Sequence, residues 1–154
     1  MPPTGAAVPQ PRGWRARDDV AIADVAFEAW GPTLEEAFLA AAEATVATMS
    51  ADPGAIAARQ RRTMRLEEAA ADLLLYRFLE ELVYYKDAEG LLLRVASVRI
   101  EERDGGLALE AQAEGEALDP ARHGLLADVK AVTLHRLRVE RTERGWTAFV
   151  VLDV

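Results

Sequence analysis

Hydrophobic and polar positions change period several times along the chain, and each change marks an element. Val25, Phe27 and Ala29 alternate with Asp24, Ala26 and Glu28, the two-residue period of a strand, and Gly31-Pro32 ends the run. Thr33 followed by Glu36 has the spacing of a capping box. Leu34, Phe38, Ala41, Thr45 and Met49 then recur at helical spacing, with Glu35, Glu36 and Glu43 off the stripe, until Asp52-Pro53-Gly54 closes the helix. Residues 59–68 read as a strand with Met64 and Leu66 on one face and four arginines scattered along it. A second helix is expected from about Ala69 to Lys86. Its apolar face (Leu73, Leu74, Leu75, Phe78, Leu79, Leu82, Val83) is too wide for a surface helix, which predicts a place deep against a sheet.

After Gly90 the period returns to two. Leu91 to Glu101 reads as a strand, Asp104-Gly105-Gly106 as a hairpin turn and Leu107 to Gly115 as the return strand. Asp119 to Gly124 makes a loop or short helical turn, and Lys130 to Arg141 with Trp146 to Val154 forms a last hairpin around Glu143-Arg144-Gly145. Two helices and about six strands imply an α+β fold, the helices packed on a mostly antiparallel mixed sheet. Residues 1–13 hold four of the seven prolines (Pro2, Pro3, Pro9, Pro11) and show no apolar period, so they read as a flexible arm. Residues 14–154 are left as a single domain.

Composition narrows the function. The 154 residues are 51% hydrophobic and 29% charged, values of a globular domain rather than a disordered chain. Lys and Arg number 18 against 26 Asp and Glu, a net charge of −8, which argues against gripping nucleic acid by its phosphates. Metal cations and a basic protein surface remain as natural partners. Without Cys there is no disulfide framework, thiolate nucleophile or thiolate metal site. No run approaches the ~20 apolar residues of a membrane span, and the N-terminus has no apolar core of a signal peptide. The expectation is a cytoplasmic protein with no membrane association.

The chain has no glycine-rich phosphate loop, nucleophile elbow or HExxH. Its two histidines, His123 and His135, have no ligand spacing. His135, inside an expected strand, reads as a half-buried structural residue, and His123, in a turn-rich loop, as a more exposed one. The carboxylates say more. Asp24 lies in an otherwise apolar strand, where an isolated charge needs a partner or a cation. Asp153 ends another apolar strand, and the terminal carboxylate of Val154 falls one residue beyond it. Three oxygen donors suit a hard cation such as Ca²⁺, Mg²⁺ or Mn²⁺; a solvated aspartate and a frayed terminus are the plainer alternative.

Several segments together resemble the archease family, small proteins that assist RtcB-type RNA ligases in tRNA splicing and RNA repair. They are Ala23-Asp24-Val25 through Trp30-Gly31 with Thr33-Leu34-Glu35-Glu36-Ala37-Phe38; Asp72-Leu73-Leu74 through Glu80-Glu81-Leu82 to Gly90-Leu91; Gly115-Glu116, Asp119-Pro120 and Arg122-His123; Val129-Lys130-Ala131-Val132-Thr133-Leu134-His135; and Leu152-Asp153-Val154. The resemblance runs in order over about residues 20–154. It implies a non-enzymatic activator that promotes guanylylation and multiple turnover of the ligase, meeting RNA only through that partner. It also implies a metal site at Asp24, Asp153 and the carboxylate of Val154, and a functional role for Lys130; His123 and His135 fall on motif positions and are held as structural. One departure stands out. The family usually carries His-Thr ahead of the strand aspartate, where this chain has Ala21-Ile22 and then Ala23. A metal-dependent hydrolase and a chaperone-like binding module with another partner are the competing readings.

The last hairpin predicts a geometry. If Arg141 pairs with Trp146, Val154 faces Thr133 and Lys130 lies three residues further on, roughly 10 Å away at 3.3 Å per residue.

Overall fold

Eight strands and three α-helices follow one another among the described residues. The structure is a computed structural model that describes residues 8–20 and 24–154; residues 1–7 of the arm and Ala21-Ile22-Ala23 lie outside the described residues. The elements are β1 (Gly13–Arg17), β2 (Asp24–Gly31), α1 (Leu34–Met49), β3 (Gln60–Glu68), α2 (Ala71–Glu89), β4 (Leu91–Arg103), β5 (Gly106–Ala117), α3 (Pro120–His123), β6 (Ala131–Val132), β7 (Arg138–Thr142) and β8 (Gly145–Asp153).

The α+β expectation holds, but the strands form two sheets instead of one. One runs β1-β2-β8 with β6 and β7 sharing the far edge of β8; the other runs β3-β5-β4. Every pair in them is antiparallel, so the sheet is not mixed. Both long helices touch both sheets, which explains the sequence of α1. Ala37, Ala40, Ala41, Ala42 and Ala44 are buried along with Leu34, Phe38, Thr45, Val46 and Met49. A helix covered on most sides, near two sheets and another helix, needs small residues for close approach. Phe38 and Phe78 bring the two helices together, their rings stacked with centroids 5.6 Å apart and no exposed surface.

Local chemistry sets the ends. The Glu36 N–H donates to Thr33 Oγ1 at 3.1 Å, so the capping spacing does cap α1. At the other helix, Gly90 adopts φ +63° and its N–H returns to the carbonyls of Tyr85 and Lys86, an ending that a left-handed glycine makes easily. The β4–β5 hairpin turns at Asp104-Gly105 as expected. β1 has no counterpart among the expected elements. Five residues, with Trp14 and Ala16 turned one way and Arg15 and Arg17 the other, are too few to register as a period, yet they pair with β2 from Gly13↔Trp30 to Arg17↔Ala26. No helix among the described residues is long and apolar enough to cross a membrane.

Candidate functional site

Alternation along β2 and β8 sends Val25, Phe27, Ala29, Ala148, Val150 and Leu152 into the main core. It leaves Asp24, Ala26, Phe149, Val151 and Asp153 on the outer face, where Ala26, Phe149 and Val151 form a small second cluster. Asp24 and Asp153 are direct partners across the β2–β8 ladder, and both are half-buried. Opposed residues on one face of an antiparallel pair hold their Cβ atoms roughly 4.5–5.5 Å apart, and like charges there repel. Val154 follows at once. The structure therefore brings the two sequence-predicted aspartates together at one end of the outer face.

The third strand at this end departs from the expected hairpin. β7 keeps the register in which Arg141 faces Trp146, and in that register Thr133 would face Val154. Instead Ala131 faces Asp153 and Val132 faces Leu152. The chain makes an excursion over residues 133–137 in which Arg136 takes φ +57°. The Arg136 guanidinium holds that turn down: it donates to the Asp19 carbonyl at 3.2 Å and carboxylate at 3.3 Å and lies over the Phe149 ring, 4.6 Å from its centroid. Consequently Lys130 sits beside the carboxylates and not three residues away. Its own N–H donates to the Asp153 carbonyl at 2.8 Å, and its side chain is exposed. His135 lies in this turn, exposed, and not half-buried in a strand; its N–H bonds Thr133 Oγ1.

One residue near the site carries no signal in the sequence. Glu80, on α2, accepts a 2.7 Å hydrogen bond at Oε1 from the Val132 N–H. Its position on the helix looks like that of any flank glutamate, because the partner is a backbone amide 52 residues away.

His123 is fully buried and belongs to a separate structural node. Its Nδ1 accepts from the Asp119 N–H at 2.9 Å, so the ring proton sits on Nε2 and donates to Glu116 Oε2, also at 2.9 Å. Glu116, 3% exposed, also receives Arg122 Nη2 at 2.6 Å, the Ala57 N–H at 2.7 Å and Arg59 Nε at 3.2 Å. The Arg122 hydrogen bond first, then those from Ala57 and His123, hold the Glu116 carboxyl far below the usual range despite its burial. Both imidazole nitrogens are occupied, so this histidine ties α3 to β5. Further along, burial opposes the charge of Lys86, but hydrogen bonds to Asp128 and Asp87 outweigh it and hold the ammonium above its ordinary range. Asp128 is correspondingly lowered, by Lys86 above all. Lys86 is therefore the committed lysine and Lys130 the exposed one.

Among the described residues no three His, Asp or Glu side chains converge as a metal cluster. Asp24 and Asp153 both bring carboxylate oxygens to one end of the ladder, donors of the kind a hard divalent cation takes. Such an ion would offset the repulsion of the opposed carboxylates.

Comparison with known proteins gives a consistent picture. The model of the Archease protein family matches residues 14–154. The archease of Thermococcus gammatolerans is 41% identical over 133 residues, 86% of this chain and 93% of the relative, and that of Pyrococcus abyssi is 38% identical over the same shares. The solution structure of Methanobacterium thermoautotrophicum protein 1598 superposes with a TM-score of 0.80 at 33% identity, covering 92% of this chain and 99% of that one.

Proposed function

This chain belongs to the archease family, and on that footing we propose that it is a non-enzymatic protein cofactor of an RtcB-type RNA ligase, acting in the cytoplasm in tRNA splicing or RNA repair. In this reading it promotes guanylylation of the ligase and restores it between turnovers. The observation that supports it is the end of the outer face, where Asp24 faces Asp153 and the Lys130 N–H holds the Asp153 carbonyl. Asp24, Asp153 and the Val154 carboxylate would hold Ca²⁺, Mg²⁺ or Mn²⁺. A bound divalent ion supplies charge neutralisation for phosphates at the ligase. The chain's own residues do the rest. The β2–β8 ladder presents both carboxylates on one face, Ala131 and Lys130 fix the end of β8, and the exposed Lys130 ammonium offers a second cationic contact. The net charge of −8 suits docking on a basic, RNA-binding enzyme, so RNA is met only through the partner.

Single-turnover guanylylation of a cognate RtcB ligase tests this. Wild-type protein is expected to accelerate the step, and Asp24→Ala and Asp153→Asn each to abolish the acceleration while leaving the fold intact by circular dichroism. Unchanged stimulation by both variants would sink the carboxylate site. Ligase binding retained by variants that neither bind metal nor stimulate would instead favour a chaperone-like binding module.

A further inference from the structure

We propose that Glu80 is a positioning residue for the carboxylate end of the outer face, setting Asp153 and Val154 through the backbone of β6; the inference rests on the metal-site reading above. β6 is two residues long and stands at the edge of its sheet, and a strand that short has little stability of its own. On its inner edge it is joined to β8 through the Lys130 N–H on the Asp153 carbonyl and the Thr133 N–H on the Val151 carbonyl. The Val132 N–H between them points the other way, where no strand follows. Glu80 Oε1 takes it at 2.7 Å, and a charged acceptor on a backbone amide is among the stronger neutral-to-ion hydrogen bonds.

The bond ties the short edge strand β6 to helix α2. α2 is anchored by Leu79, fully buried and adjacent to Glu80, and by Leu82 and Val83. Through Val132 that rigidity passes to Lys130 and Ala131, and through the Lys130 N–H to the last residues of β8. Without it, the outward backbone edge of β6 has no acceptor. Residues 130–133 are then held by their bonds along β8, by the Val132 side chain in the core and by the His135 N–H on Thr133 Oγ1, on a strand that already breaks at residue 133. Asp153 and the Val154 carboxylate would then sample more than one placement relative to Asp24. Glu80 needs no contact with the ion to do this.

The test compares Glu80→Ala, which removes the acceptor, with Glu80→Gln, which keeps an amide oxygen in place of Oε1. Two quantities are read on the full chain: amide hydrogen exchange at Val132 by NMR, and Mn²⁺ affinity by calorimetry. Glu80→Ala is expected to speed exchange at Val132 and weaken Mn²⁺ binding by about 10–100-fold, the usual loss when a group orienting metal ligands is removed. Glu80→Gln should restore both. Mn²⁺ binding by Glu80→Ala equal to wild type overturns the inference alone, as does a Glu80→Gln that behaves like Glu80→Ala, since the charge and not the acceptor would then matter. A wild-type protein that binds no Mn²⁺ removes the metal-site reading, and this inference with it. A mere loss of helix stability would lower the melting temperature without changing Mn²⁺ affinity of the folded variant.

Discussion

Glu116 shows how one side chain can organise a corner of the protein. Its two oxygens receive donors from Ala57, Arg59, Arg122 and His123, so it joins β5, α3 and the segment before β3. Because its carboxyl is depressed in the folded state, its contribution is complete above the ordinary glutamate value of about 4.3 and is lost as pH falls below it. Denaturant midpoints measured between pH 7 and pH 3 should drop steeply over the acid limb for wild type. Glu116→Gln should start lower at pH 7 and follow a flatter limb, since the group that titrates is gone. An unaltered acid limb in the variant would show that other carboxylates control it. At this scale the sequence was informative about residue types and poor about surroundings. Asp24 and Asp153 stood out because each interrupts an apolar strand. His123 looked exposed because its neighbours are turn residues, yet burial there is set by Glu116, seven positions away, and by nothing periodic.

Elements were legible where their period ran long enough. α1 carries its own cap and stripe, α2 its wide apolar face, and the β4–β5 hairpin its Asp-Gly turn, and all three lie where the pattern puts them. β1 is too short for a period. The break between β6 and β7 shows only as a change of phase, the inward positions passing from even-numbered Val132 to odd-numbered Val139, which two residues of β6 are too few to reveal. Spacing also conceals close contacts. In β5, a Cβ on Gly115 would stand 1.9 Å from the Leu92 carbonyl oxygen and 2.9 Å from Leu93 Cα, both backbone of the neighbouring strand. Gly115→Ala must therefore push β4 from β5 beside Glu116. The expected result is a loss at the upper end of single-substitution effects, about 3 kcal/mol or more, with amide exchange accelerated first at Leu92 and Leu93. A variant within 0.5 kcal/mol of wild type, the usual range for a surface change, would contradict the close approach.

At the scale of the whole molecule, the helices are shared between two sheets, and the core depends on where they meet. Truncating Phe38, stacked on Phe78 and without exposed surface, should cost about 3–5 kcal/mol. At roughly 2–4 °C per kcal/mol for a domain of this size, calorimetry should record a clear fall in melting temperature. The two-sheet arrangement was not visible in the sequence because periodicity reports which face of a strand is covered, never which strand lies next to it. The excursion at residues 133–137 bears on this too. Remove Leu134, His135 and Arg136 in thought, and Leu137 follows Thr133 directly: Arg138 still faces Phe149 and Ala131 still faces Asp153, now on one continuous strand. The three residues are thus a register-neutral insert that the sheet does not require. What they add is a clasp on Asp19, a guanidinium over Phe149 and an exposed Leu134 and His135, so a shorter hairpin would keep the carboxylates in place and lose the clasp together with what the insert holds out to solvent.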